Sequence, residues 1–362
     1  MIATAHSLQQ LNTRPRSERA VTPPPAPAEV HRHGIMSDSH GRTIRDLRIS
    51  ITDRCNFRCV YCMDPDVQFA PRSELLTRHE IIRLARIAEA LGVRKIRLTG
   101  GEPTVHPELL EIISGIRRAT SVELAMITNG SLLTRERLRA WKGAGLDRIT
   151  VSLDSLRPDR FAMLTRAAGS PATVLAGIEA AIAEGVTPLK VNAVLMRGVN
   201  DDEAADLASL ARVYGVEVRF IEYMPLDSAR AWDDAKWVSA SQTRAQIERV
   251  FPLVSAPSED RSSTARLFEF ADGRAGRIGF ISSVSDPFCG ACSRLRLTAD
   301  GKIRPCLFSS AEWDVLSVLR CGAGDDELRA FFIDASWTKQ AGHGMHSDEF
   351  HQPARSMSAI GG

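Results

Sequence analysis

From about residue 45 onward, short runs rich in Val, Ile and Leu alternate with longer segments of helical periodicity, and this alternation leaves few folds open. The strand-like runs are 45–52, 95–99, 122–128, 147–153, 189–195 and 216–222. Between and after them lie helical patterns at 79–91, 107–119, 134–144, 172–184, 201–214 and 241–251. In the first of these Ile81, Ile82, Leu84, Ala85, Ala88 and Leu91 share a face. Thr134 and Asp201 are expected N-caps, and Gly92 and Gly185 follow helix ends. Six such units predict a parallel sheet with helices outside, an α/β partial (βα)6 barrel rather than a closed ring of eight. In βα barrels the site lies at the C-terminal ends of the strands.

Those strand ends carry unusual residues. Directly after the first comes Asp53-Arg54-Cys55-Asn56-Phe57-Arg58-Cys59-Val60-Tyr61-Cys62. Three thiolates in a CxxxCxxC run can hold three irons of a four-iron, four-sulfur cube and leave the fourth iron open, whereas purely electron-carrying clusters usually use four cysteines. The alternative is a zinc knuckle, which prefers CxxC pairs and a fourth Cys or His, and no His lies within ten residues. Gly100-Gly101-Glu102-Pro103 follows the second strand, Thr128-Asn129-Gly130 the third, Ser152 the fourth and Met224 the sixth. The paired glycines would let backbone approach a ligand closely. Taken alone, Ser152 and Met224 are equally readable as ordinary strand-end residues.

After about residue 255 the pattern changes to short strand candidates at 266–270, 277–282, 294–298 and 302–305, separated by Asp272-Gly273 and Asp300-Gly301 turns. This stretch carries Cys289-Gly290-Ala291-Cys292 and, further on, Cys306. It reads either as a second cluster with an open iron or as a zinc site completed by His343, His346 or His351. Arg294-Leu295-Arg296 follows the CxxC pair, and on a strand both guanidiniums face one side. A solvated charged face is the plainer reading. Neighbouring cluster ligands favour an anion site instead. Arg48 and Arg97 occupy inward candidate positions on strands one and two, and Lys190 lies on strand five. Five cations at one mouth would suit a triphosphate.

The net charge is only +2, so the surface as a whole makes no case for nucleic acid or a membrane, and no run of 18 apolar residues spans a bilayer. Six of the seven cysteines fall into two tight groups, a pattern of metal binding in a reducing cytoplasm rather than of disulfides, and Cys321 is left without a role. Residues 1–40, with Pro23-Pro24-Pro25 and no apolar periodicity, are expected to be a disordered extension in which Met36 is an alternative start. The expected organisation is therefore an extension at 1–40, a barrel at 41–255 and a C-terminal α+β region at 256–362 carrying the second cysteine group.

The first cysteine run resembles the radical S-adenosylmethionine (SAM) superfamily. Together with Arg97-Leu98-Thr99-Gly100-Gly101-Glu102-Pro103, Phe288-Cys289-Gly290-Ala291-Cys292-Ser293-Arg294-Leu295-Arg296 and the terminal Gly361-Gly362, it resembles the molybdenum cofactor biosynthesis protein A family of GTP 3′,8-cyclases over residues 41–362. One departure is Cys62-Met63-Asp64-Pro65, where the family often runs Met directly into Pro. The resemblance implies two [4Fe-4S] clusters, on Cys55, Cys59 and Cys62 and on Cys289, Cys292 and Cys306. It implies SAM contacts at Tyr61, Gly101, Ser152 and Met224, and GTP contacts at Arg48, Arg97, Thr128, Lys190, Arg294, Leu295 and Arg296. It also implies a catalytic tail at Gly361 and Gly362. A 5′-deoxyadenosyl radical would remove hydrogen from the 3′ carbon of GTP, and the sugar radical would attack carbon 8, giving 3′,8-cyclo-7,8-dihydro-GTP. The implied partners are a reductant such as a flavodoxin or ferredoxin, a downstream cyclic pyranopterin monophosphate synthase, and a second copy of the chain in a homodimer. A peptide-modifying radical SAM maturase is the alternative enzyme. A zinc-binding interaction or nucleic-acid module is the alternative outside enzymes, and the full βα alternation and near-neutral charge oppose it.

Overall fold

Leu47 and Ile49 point outward beneath helices while Arg48 points inward, and the same alternation of apolar and polar residues on neighbouring strands builds a barrel with a polar lumen. The computed structural model describes residues 25–226, 232–257, 262–345 and 350–361. The first six strands are β1 (Asp46–Ser50), β2 (Lys95–Thr99), β3 (Glu123–Thr128), β4 (Arg148–Ser152), β5 (Lys190–Leu195) and β6 (Glu217–Glu222), all parallel to their neighbours. The intervening helices are α2 (Arg78–Ala90), α3 (Leu109–Ala119), α4 (Arg135–Gly143), α5 (Pro158–Thr165), α6 (Pro171–Ala183) and α7 (Ala204–Tyr214), and α8 (Ala240–Glu248) follows β6.

Local chemistry sets the helix starts. Thr77 and Glu80 close a capping box on α2, Ser239 and Gln242 do the same on α8, and Thr134 caps α4. Asp201 does not cap α7. It begins a 3₁₀ turn, Asp201–Glu203, and the α-helix starts at Ala204. On α2 the core face holds Ile81, Leu84, Ala85, Ile87 and Ala88, with Ile82 only partly covered. Helix α5 has no counterpart in the periodicity reading; it occupies eight residues between β4 and α6.

The C-terminal strands β7 (Leu253–Ser255), β8 (Arg266–Phe270), β9 (Arg277–Ile281), β10 (Arg294–Leu297), β11 (Lys302–Arg304) and β12 (Trp313–Asp314) are not a separate sheet. The twelve strands form one sheet in the order β12-β11-β10-β1-β2-β3-β4-β5-β6-β9-β8-β7. Strand β9 pairs parallel to β6, and β10 pairs parallel to β1. The barrel therefore has eight parallel strands, two supplied by the chain beyond residue 255, and that expected boundary falls within a continuous sheet. Helices α9 (Val315–Arg320) and α10 (Asp325–Trp337) close the chain's last third, with Phe332 of α10 fully buried.

Disorder is corrected for residues 25–40. They contain helix α1 (Ala28–His33) and a turn whose Met36 is wholly buried in the core. Ala26 N donates to Asp334 Oδ1 at 2.8 Å, and the His31 ring stands 3.0 Å from the same carboxylate on α10. Among the described residues no helix is long and apolar enough to cross a membrane.

Candidate active site

The register of three adjacent strands brings the basic residues together. Arg48 on β1 stands opposite Arg97 on β2 and opposite Arg296 on β10, and Arg294 is one inward position below Arg296. All four line a single chamber of about 290 Å³ at the C-terminal side of the barrel. Burial depresses the basicity of three of them: Arg97 to about 10, Arg296 to about 9, and Arg48 well below the usual guanidinium value, where Arg296, Arg97 and Arg294 add repulsion. None of Arg97, Arg294 and Arg296 pairs with a carboxylate among the described residues, and Arg97 Nε is sealed from water with no hydrogen-bond partner. Cations concentrated in a confined space favour binding of an anion.

Both cysteine triplets line the same chamber. Cys55, Cys59 and Cys62 follow β1. Burial, first of all, raises their thiols, Cys55 to about 11 and Cys62 to about 12, and Cys59 well above its ordinary value. The GGEP segment explains how their loop is seated. A Cβ on Gly100 would lie 2.3 Å from Thr52 O, and one on Gly101 would lie 2.3 Å from Arg54 O. Gly101 N donates to Thr52 O at 2.9 Å and Glu102 N to Arg54 O at 2.8 Å. The glycines thus make room for the cysteine loop itself, a more direct reason than access for a ligand. Glu102 is buried and accepts from Thr104 N, Thr104 Oγ1, Thr128 Oγ1 and Asn129 N, which ties the loops after β2 and β3 together. Gly101, Thr128, Ser152 and Met224 all line the chamber.

Tyr61 lines the chamber too, and its hydroxyl donates to Asp154 Oδ2 at 2.6 Å. The other oxygen of Asp154 accepts from Val194 N at 2.8 Å. Burial lifts the Asp154 carboxyl to about 6 against these two hydrogen bonds. In the second triplet Arg294 Nη2 donates to Cys292 Sγ at 3.2 Å. Burial raises the Cys292 thiol, but Arg294 and Lys339 outweigh it and bring the value down to about 7. Cys289 is raised, chiefly by burial.

Two expected contacts are displaced. Lys190 does not line the chamber; it lies one layer lower in the lumen, 3.1 Å from both oxygens of Glu217, with burial and Arg219 reducing its basicity to about 8. Leu295 is fully buried on the opposite face of β10, packed in the core opposite Leu47. Gly361 is held inside the barrel, where Arg296 Nη1 donates to its carbonyl and to Ile360 O. A Cβ on Gly361 would meet Ser50 Oγ at 2.5 Å. Upstream, Arg355 grips Asp300 and Glu312, and Ser358 Oγ reaches Cys62 O at 3.4 Å. Gly362 and His346 lie outside the described residues. The chamber further includes Asn192, Arg219, Phe288 and Lys339, which spacing did not single out. Asp154 and Asn192 sit on inward positions near residues already marked, so strand alternation could have found them.

Two sequence profiles match the chain: that of the radical SAM superfamily over residues 49–211 and that of molybdenum cofactor synthesis C over residues 216–345. A GTP 3′,8-cyclase of Streptomyces coelicolor is 44% identical over 330 residues, spanning 91% of this chain and 96% of the relative. The chain belongs to the GTP 3′,8-cyclase family. GTP 3′,8-cyclases of Corynebacterium glutamicum (strain ATCC 13032) and Mycolicibacterium smegmatis are 43% and 44% identical, each over 93% of this chain and 91% and 94% of their own lengths. Among solved structures, Streptococcus suis SuiB bound to S-adenosylmethionine is similar with a TM-score of 0.60 at 14% identity, covering 80% of this chain and 66% of that one. SuiB bound to its precursor peptide SuiA is similar with a TM-score of 0.61, covering 89% and 69%. At that identity the likeness concerns the fold.

Membership in the superfamily implies a four-iron cluster and SAM. The donor set fits the cluster: three thiols carried on one loop beside the chamber, with no fourth Cys or His on that loop. Among the described residues no three Cys, His, Asp or Glu side chains are poised on one ion, so the fit rests on donor chemistry and placement rather than on a preformed coordination shell.

Proposed function

We infer that this protein is a radical SAM enzyme that joins the 3′ carbon of the GTP ribose to carbon 8 of the guanine, the first step of molybdenum cofactor synthesis. The observation that carries this reading is the row Arg296–Arg48–Arg97, with Arg294 beside it, set in one chamber with two cysteine triplets. When bound, the first cluster and SAM supply one-electron chemistry able to take a hydrogen atom from carbon.

The residues of this chain do the positioning. Cys55, Cys59 and Cys62 would hold the first cluster, with Tyr61, Gly101, Ser152 and Met224 around SAM. Cys289, Cys292 and Cys306 would hold a second cluster, and Arg294 beside Cys292 keeps that end of the chamber positive. Arg48, Arg97, Arg294 and Arg296, with Thr128, would take the triphosphate, since guanidinium forks match phosphate oxygens. Fixing both reactants turns an encounter into an effectively unimolecular step. The tail at Gly361, seated against Arg296, Ser50 and Thr99, covers the arginine row from within and helps keep water out. Lys190 would act one layer removed, through the Glu217–Arg219 pair, with Arg219 facing the chamber.

The remaining parts of the reading are a reductant such as a flavodoxin or ferredoxin, a homodimer, a cytoplasmic location, and transfer of product to a cyclic pyranopterin monophosphate synthase. Within one continuous sheet, residues 41–255 would form the radical SAM barrel, contributing Arg48, Arg97 and Thr128 to the substrate site, and residues 256–362 would carry the second cluster, Arg294, Arg296 and the Gly-Gly tail. Anaerobic incubation with SAM, GTP and dithionite tests the activity. Deoxyadenosine and a cyclised nucleotide of the same mass as GTP are expected. Unchanged GTP in the presence of SAM cleavage would overturn the assignment of substrate.

A further inference from the structure

The segments bearing the second cysteine triplet have little regular structure of their own. Cys289 lies in a four-residue 3₁₀ turn, Phe288–Ala291, and Cys306 lies just beyond the three-residue strand β11. What fixes them comes from elsewhere in the chain. Arg42, in the turn before β1, is nearly buried, and all five of its guanidinium hydrogens find acceptors. Its Nε donates to Asp38 Oδ2 at 2.5 Å. Nη1 donates to Cys289 O at 2.7 Å and Ala341 O at 3.0 Å, and Nη2 to Gln340 O at 2.6 Å and Lys339 O at 3.4 Å.

Asp38, 1% exposed, is equally committed: its Oδ1 accepts from His40 N and Arg42 N, both at 2.9 Å. The same turn is anchored to the end of α10, where Ser39 N meets Trp337 O at 3.3 Å and Ser336 Oγ meets Ser37 O at 3.1 Å. Lys339, 3% exposed, completes the arrangement. Its Nζ donates to Pro305 O, next to Cys306, at 2.5 Å, and to Arg294 O, two residues after Cys292, at 2.9 Å. Two buried cations thus gather the backbone at or beside all three cysteines onto one segment, 339–341.

We propose that Arg42, locked by Asp38, is a positioning residue for the second iron–sulfur cluster, and that with Lys339 it holds Cys289, Cys292 and Cys306 at the spacing the cluster needs. The proposal rests on reading that triplet as a cluster site. It assigns a role to the N-terminal turn that neither cysteine spacing nor the arginine row contains. A lysine at position 42 would keep the charge but lose the fork, so it could not reach Asp38, Cys289 O and the 340–341 carbonyls together.

The test compares wild type, Arg42→Lys and Asp38→Asn after anaerobic reconstitution, by iron and sulfide assay, electron paramagnetic resonance of the reduced clusters, and deoxyadenosine formation. Wild type is expected to carry about eight irons per chain in two distinguishable signals. Both variants are expected to fall towards about four, to keep the signal of the Cys55–Cys59–Cys62 cluster, and to form deoxyadenosine without cyclised nucleotide. The surviving first cluster is the internal control for folding. Retention of both signals in the variants would overturn the proposal. So would loss of both together, which would make Arg42 a general folding residue. A wild type holding only four irons would instead refute the second-cluster reading beneath it.

Discussion

Replacing Arg97 with methionine should stabilise the ligand-free protein and weaken its grip on nucleotide. The guanidinium sits inside the barrel with Nε sealed and unpartnered, and its basicity falls well below the usual guanidinium value to about 10, largely through burial. That fall corresponds to about 3 kcal/mol of cost for the charged form. Water in the chamber screens part of it, so a gain of about 1–3 kcal/mol is the expected range for Arg97→Met. Relief of repulsion on Arg48 acts in the same direction. The sign follows from linkage: a base depressed in the folded state costs stability at every pH below its folded value and ceases to do so only as the pH rises through about 10 towards the usual guanidinium value. At neutral pH the full cost is present. Losing a charged hydrogen bond to phosphate should cost about 1.5–3 kcal/mol of binding, roughly 10- to 150-fold in affinity. The assay is urea unfolding of cluster-loaded protein in an anion-poor buffer, with and without GTP. Wild type should gain more from GTP than the variant does, and the variant should start higher. A variant less stable than wild type that binds GTP equally well would refute the reasoning.

Gly101→Ala should lower the iron content of the first cluster and destabilise the fold by about 1–3 kcal/mol or more, because its Cβ would strike Arg54 O at 2.3 Å; normal iron content would contradict this. Cys289→Ala should retain deoxyadenosine formation and lose cyclised nucleotide, whereas Cys55→Ala should lose both, as read by mass analysis. Gly361→Ala, at φ +73° and with a Cβ crowding Ser50 and Thr99, should expel the tail and reduce product per deoxyadenosine while leaving iron content unchanged. Lys190 is depressed to about 8, so it costs stability below that value, and the cost fades as the pH rises from about 8 to 10.5. Lys190→Met should flatten that rise in chemical unfolding measured across the window.

Much of the barrel is written locally. The six parallel strands and their helices lie within a few residues of the periodic runs, because a strand under helices must alternate and a helix must show an apolar stripe. The pairing of β10 with β1 is not local. It joins residues about 250 positions apart, and only that register sets Arg296 beside Arg48. Sequence alternation placed both side chains inward but could not say that they were neighbours. Leu295 fell outside the site for the same reason that its flanking arginines fell within it: alternation sends it to the opposite face. Lys190 is on strand five as expected, yet one layer too deep and already paired with Glu217. Arg42 and Lys339 act through hydrogen bonds to distant backbone carbonyls, and such residues leave no period to detect. Helix α1 was hidden because it is held by hydrogen bonds to Asp334 on α10 rather than by an apolar stripe of its own.

The central claim is that the arginine row holds GTP with its ribose exposed to hydrogen abstraction. Incubating the reconstituted protein anaerobically with SAM, reductant and GTP deuterated at the 3′ carbon tests it most directly. Deuterium should appear in deoxyadenosine, with a cyclised nucleotide formed alongside and both products lost in Arg296→Ala. Deoxyadenosine free of deuterium, with GTP recovered intact, would contradict the account.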